Sequence, residues 1–227
     1  MDRLFDFGTT ADLLQLDFVR NALLAAAVLG LVAGVLGPLI VIRNMSFSVH
    51  ATSEMSFTGG AAALLLKVSV GYGALIAAIV AAVGLSMLGQ RRHDRDSVIG
   101  AVLAFGLGVG VLLLWFYPGR ASNKFGLLIG QPVTVGSGGV TLLTVCALAV
   151  LAILALIYRP LLFASVDPLL AAARGVRTRG LSILFAVLVG VATALGVQTV
   201  GSLLVMSLMI TPGAAACRVT ASPLRAM

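Results

Sequence analysis

Seven stretches of this sequence run for about the length of a bilayer-crossing helix with almost no charge. They are Ala22–Ile42, His50–Leu66, Val68–Leu88, Val98–Tyr117, Val140–Ile157, Leu181–Val197 and Val200–Ala216. At about 1.5 Å of rise per residue, each covers most or all of the roughly 30 Å hydrocarbon core of a membrane. Only helices and closed barrels satisfy their backbone hydrogen bonds in lipid, and these runs lack the alternation of barrel strands. The expected fold is all-α, a polytopic membrane protein with about seven transmembrane helices. The last two runs are separated only by Gln198 and Thr199, so they read as a tilted hairpin or as a broken pair.

Composition excludes a soluble alternative. Apolar residues make up 60% of the 227, charged residues only 10%, and the mean hydropathy is +1.12. Too little polar surface remains to coat a globule. The net charge of +7 comes without a Lys/Arg stripe interleaved with aromatics, so no nucleic-acid partner is expected. Basic residues instead mark the cytoplasmic loops. Counted by loop parity, one side receives ten (Arg43, Arg91, Arg92, Arg95, Arg159, Arg174, Arg177, Arg179, Arg218 and Arg225) and the other five (Arg3, Arg20, Lys67, Arg120 and Lys124). The ten-residue side is read as cytoplasmic. Residues 1–21 then form an extracytoplasmic tail, 22–216 the membrane domain with a cytoplasmic segment at about 159–180, and 217–227 a cytoplasmic tail. The first run is no signal peptide, because Asp2, Asp6, Asp12 and Asp17 replace the basic start of one. Cys146 and Cys217 make neither a disulfide framework nor a metal pair.

Enzyme signatures are missing. No GxxxxGK[ST] occurs, so the chain has no P-loop for ATP, and neither HExxH nor GxSxG is present. The chain is expected to be no enzyme and to bind no cofactor of its own.

Three places carry residues that lipid alone does not explain. Glu54 is the sole glutamate and the only acid within a run; His50 precedes it by four residues, on the same helical face. A central acid costs about 2.5–3.5 kcal/mol to insert, so it normally faces a partner or a wet path. Imidazole and carboxylate both ligate divalent ions, and Ser53, Ser56 and Thr58 add hydroxyls nearby. Local hydrogen bonding at the membrane boundary is the competing reading. Next, in the loop Tyr158–Gly180, Asp167-Pro168 ahead of Leu169–Ala173, Arg174 and Gly175 reads as a miniature helix with an N-cap, a first-turn proline and a left-handed glycine end. Too short to persist alone, it must dock on a cytoplasmic partner or on the protein's own loops. Finally, Gln198-Thr199-Val200-Gly201 and Thr211-Pro212-Gly213 read as a broken helix beside a cavity or as a packing kink. Gly30/Gly34 and Gly106/Gly110 stand four apart, a spacing for close helix contact. Phe125–Ile129 reads as a short re-entrant helix.

From about Arg43 to Ala216 these stretches resemble the membrane-spanning permease subunits of ABC transporters that import manganese, zinc or iron. Gln198-Thr199-Val200-Gly201 through Ile210-Thr211-Pro212-Gly213-Ala214-Ala215-Ala216 is similar to the family's Q-T-V-G…I-T-P-A-A-A signature. Asp167-Pro168 with Ala173-Arg174-Gly175-Val176 resembles its cytoplasmic coupling segment, and Val98-Ile99-Gly100 also fits. Two departures stand out. The family's Asp-x-x-Ser-His at the second span is here His50-Ala51-Thr52-Ser53-Glu54, so the resemblance does not carry metal preference. The family also continues with further membrane helices, whereas this sequence ends at Met227, which implies a shortened subunit.

The resemblance implies a permease subunit of a divalent-metal importer in the cell membrane. A second permease copy completes a central path, with His50, Ser53 and Glu54 on the translocation route and Gln198, Thr211 and Pro212 in gating. A separate ABC ATPase subunit holds the ATP and grips Asp167, Pro168, Arg174 and Gly175, and an extracytoplasmic metal-binding protein delivers the ion. A permease for a metal chelate (a siderophore or cobalamin) and a truncated, non-transporting membrane subunit are the alternatives.

Overall fold

Lipid supplies no hydrogen-bond partners, so each apolar run closes its backbone bonds within itself as helix. The computed structural model describes residues 16–87, 92–119, 126, 130 and 137–220. Its elements are α1 (Asp17–Ile42), α2 (Ser46–Leu65), α3 (Val70–Met87), α4 (Arg92–Phe116), α5 (Ser137–Val166), the short α6 (Pro168–Ala173), α7 (Thr178–Val200) and α8 (Ser202–Val219). Six of the seven long helices are long and apolar enough to cross a membrane, and α2 is the exception.

Several boundaries differ from the apolar runs. Helix α1 starts at Asp17, inside the stretch read as a tail, and α8 runs to Val219. Helix α5 passes through Pro160 to Val166, so residues read as loop from Tyr158 onward are its last turns. Gln198 and Thr199 lie within α7 rather than between two helices, and α8 continues unbroken through Thr211 and Pro212. The break sits instead at Gly201, with φ 84° and ψ 161°. Only glycine adopts that conformation without strain of about 1–3 kcal/mol. The last two runs are therefore two full helices in a hairpin. The Phe125–Ile129 patch lies, Gly126 apart, outside the described residues.

Three helix ends close in the same way. After α1, Asn44 takes φ 54°, with Asn44 N–H donating to the Val41 carbonyl and Met45 N–H to Ile40. After α2, Lys67 takes φ 58°, with its N–H on Leu64 and the Val68 N–H on Ala63. After α6, Gly175 takes φ 81°, with its N–H on Ala172 and the Val176 N–H on Ala171. This is the Schellman closure, which satisfies the last carbonyls and turns the chain sharply.

The helices alternate in direction, and contacts fix which ends share a side. Arg43, just past α1, reaches Ser165 near the end of α5 and Ser182 near the start of α7. Cys217 near the end of α8 approaches the Pro38 carbonyl in α1. Ala51 in α2, Leu85 in α3 and Ile99 in α4 cluster together. The described members of the ten-residue basic group thus gather at one end of the bundle.

Hydrophobicity is inverted relative to a soluble protein. Tyr72, Ile76 and Val80 of α3, Phe105 and Trp115 of α4, and Leu148 and Leu156 of α5 are exposed. Lipid is as apolar as these side chains, so helices associate through close packing rather than through water exclusion. At the α2–α3 crossing, Gly59 and Ala63 face Gly73 and Ala77, and the two backbones touch where a side chain would otherwise stand. Of the two four-residue glycine pairs, Gly106 and Gly110 lie against α2 at Glu54–Thr58, whereas a Cβ added at Gly30 or Gly34 would meet nothing within 4 Å among the described residues.

Candidate functional site

Polar groups inside this bundle are concentrated on α2. The buried polar residues are Ser48, Thr52, Ser53, Glu54, Ser56, Thr193, Thr199 and Ser202, and the first five belong to this helix. Helix α2 packs against α3, α4, α7 and α8. Its companions take the lipid contacts, which is why it tolerates a sequence too polar for a lipid-facing span.

The hydroxyls on α2 donate to main-chain carbonyls. Thr52 bonds to Ser48 O at 2.8 Å and Ser53 to His50 O at 2.7 Å. Ser56 reaches across to Ala74 O of α3 at 3.2 Å. Thr58 bonds to Glu54 O at 2.9 Å and also to Gly106 O of α4. The Ser56 and Thr58 bonds to α3 and α4 tie α2 to its neighbours, those of Thr52 and Ser53 stay within the helix, and all four hydroxyl protons are committed.

His50 and Glu54 differ from them. Glu54 is only 2% exposed, yet its Oε2 has no hydrogen-bond partner, and neither has the buried Nδ1 of the half-buried His50. The backbone of Glu54 sits against Gly106, so α4 braces the residue from behind its main chain. An unpaired buried carboxylate oxygen is costly, and an imidazole nitrogen one turn away is a natural co-ligand for a divalent cation. Among the described residues no group of three or more His, Cys, Asp or Glu side chains gathers. What α2 leaves without a partner, one helical turn apart in sequence, is therefore one carboxylate oxygen and one imidazole nitrogen.

At the opposite end from Arg43, Gln198 lies in the last turn of α7 with its Oε1 against Gly71 of α3. Its Nε2 and the Oγ of fully buried Ser202 have no hydrogen-bond partner. Thr211 and Pro212 lie in the basic-end half of α8, away from Gln198, so the structure does not bring the three residues read as a gate together.

On the basic end, Asp167 has extended backbone and its Oδ1 accepts from Leu170 N at 2.9 Å, with Pro168 in the first turn of α6. Arg174 caps the other end and lies 6.0 Å from the Phe163 ring centroid. Ala171 is the buried anchor of this helix, while Leu169 is 85% exposed. Sequence reading missed the Arg43 hydroxyl contacts and Ser202, because nothing local marks either.

The fold and its polar central helix define a multi-pass membrane protein of the transport class. The chain belongs to the ABC 3 transport family, whose model matches residues 15–227. The manganese transport system membrane protein MntC of Listeria monocytogenes is 31% identical over 209 residues, 92% of this chain and 74% of that protein. The manganese import system permease protein ScaB of Streptococcus parasanguinis is 30% identical over 203 residues, 89% and 72% of the two. The solved structure of PsaBC from Streptococcus pneumoniae in complex with Fab superposes with a TM-score of 0.85 at 27% identity, covering 97% of this chain and 80% of that one. The protein is thus a cell-membrane permease of an ABC system, with its helices crossing the bilayer several times.

Proposed function

We propose that this chain forms the membrane path of an ABC importer for divalent metal ions, with manganese as the first candidate. The carrying observation is Glu54, a buried carboxylate with an unpartnered oxygen, on the one polar helix of an otherwise lipid-adapted bundle. The named relatives that transport manganese support the substrate class. Oxygen and imidazole ligands serve manganese, zinc and iron alike, so availability outside the cell selects among them. Two side-chain ligands suit passage, since a transport site must hold an ion firmly enough to admit it and weakly enough to release it.

The basic end faces the cytoplasm, where a separate ATPase subunit docks on α6 through exposed Leu169 and the basic residues Arg174, Arg177 and Arg179. A second permease copy completes the path, and an extracytoplasmic binding protein delivers the ion. ATP binding on the partner displaces α6 and changes which side of the path is open.

The test is manganese uptake by proteoliposomes holding the permease, its ATPase and its binding protein. Glu54→Gln is expected to lower uptake by about tenfold to a hundredfold, the loss that even outer-shell changes bring to a metal site. Ser56→Ala, which removes only an interhelical hydrogen bond, is expected to transport near the normal rate. Equal uptake by the two variants would overturn the role given to Glu54.

A further inference from the structure

Arg43 bridges the two helices that flank α6 and stands at the entry to the helix that carries His50 and Glu54. Its side chain is half-buried at the basic end, and its guanidinium is divided between two helices distant in sequence. Nη1 donates to Ser165 Oγ at 2.8 Å and Nη2 to Ser182 Oγ at 2.7 Å. The guanidinium carbon also lies 5.3 Å from the ring centroid of Phe185, which is fully buried in α7. Ser165 in turn donates to Leu161 O at 2.6 Å, so its hydroxyl is oriented to accept from Arg43.

The two serines flank α6. Ser165 stands two residues before the N-cap Asp167, and Ser182 lies in the opening turns of α7, just after the segment ends. A displacement of α6 therefore moves at least one of them. On the other side, Arg43 is itself the C-cap of α1, and the Schellman closure at Asn44 and Met45 leads directly into Ser46, the first residue of α2. A closure with two backbone bonds and a left-handed residue is stiff, so a pull on the guanidinium is delivered to the start of α2. His50 follows one turn later.

We infer that Arg43 is a positioning residue that couples movement of the ATPase-docking helix to the His50–Glu54 helix. The inference rests on the proposed docking at α6 and on the proposed ion path along α2. Guanidinium suits this task because its planar fork serves two acceptors at fixed angles and stacks on an aromatic face, whereas an ammonium is a single point charge. The geometry gives the residue no contact with the transported ion.

The experiment measures metal moved per ATP hydrolysed in proteoliposomes of the whole transporter. Arg43→Met is expected to retain the ATPase on co-purification, while metal moved per ATP falls by about fivefold or more, the lower range for coupling between sites. Arg43→Lys restores part of the ratio. Ser165→Ala with Ser182→Ala, which leaves Arg43 in place and both helices intact, lowers the ratio in the same direction and stands in if Arg43→Met is poorly folded. A purely structural role would lower yield, uptake and hydrolysis together and leave the ratio unmoved; that result overturns the inference. Failure of the parent reading appears elsewhere, as normal uptake by Glu54→Gln with Arg43 intact.

Discussion

The α2–α3 crossing offers a quantitative test of how this bundle is held. A Cβ placed on Gly73 would lie 2.5 Å from Ala63 Cβ and 2.5 Å from the Gly59 carbonyl oxygen. Optimal carbon contacts are about 3.5–4.0 Å, so Gly73→Ala forces the helices apart by roughly 1 Å. One obstacle is backbone and cannot rotate away. Overpacking of this kind costs about 1–3 kcal/mol. The same separation stretches the 3.2 Å bond from Ser56 to Ala74 O, on the same seam, beyond hydrogen-bond range. That loss adds about 1 kcal/mol. Alanine's better helix propensity returns about 1 kcal/mol. The net expectation is a loss of about 1–3 kcal/mol, taking these terms together.

Gly84, on the same helix, has nothing within 4 Å of the point where a Cβ would stand. Gly84→Ala keeps the propensity gain without the clash, so the two variants should differ by about 2–4 kcal/mol, roughly thirty-fold or more in the unfolding equilibrium. Reversible unfolding in mixed micelles with increasing SDS reads that difference. Ala63→Gly introduced together with Gly73→Ala removes one of the two obstacles and should recover part of the loss, a coupling visible as non-additivity. Equal stability for Gly73→Ala and Gly84→Ala would refute the close-contact reasoning.

Two further outcomes follow from local geometry. Asp167→Ala deletes the acceptor for Leu170 N, costing a short helix about 1 kcal/mol, and should weaken retention of the ATPase on co-purification. Asp167→Asn keeps an equivalent cap and should retain it. Gly201→Ala places a side chain at φ 84° and ψ 161°, so it should lower the melting midpoint of the purified protein through about 1–3 kcal/mol of strain.

Much of the fold was legible because membrane helices announce themselves by length. What the runs did not reveal is where helices end when the signal is not hydropathy. Gly175 was readable as a helix terminator because glycine favours the left-handed region, and Asn44 carries a weaker form of the same signal, whereas Lys67 does the same work with none. Pro212 suggested an interruption, yet it lies inside a continuous helix, as does Pro160, where a lost main-chain bond is tolerated. Spacing also could not say which small-residue pair is covered. Gly30/Gly34 and Gly106/Gly110 look alike in sequence, and among the described residues only the second pair presents its Cβ positions to another helix.

The site shows the same division. A lone Glu with a His four residues earlier was visible as an anomaly in an apolar chain, but the roles of its neighbours were not. Ser53, Ser56 and Thr58 looked like additional ligands because hydroxyls accompany the pair. In the structure each donates its proton to a carbonyl: Ser53 within α2, Ser56 to α3, and Thr58 to both Glu54 O and α4. Ser56 and Thr58 tie the polar helix to its neighbours, Ser53 spends its proton within the helix, and the imidazole and the carboxylate are left as groups with unspent capacity. A buried polar helix tied to α3 and α4 through Ser56 and Thr58 therefore keeps its anchoring groups and its two unpartnered groups on different side chains.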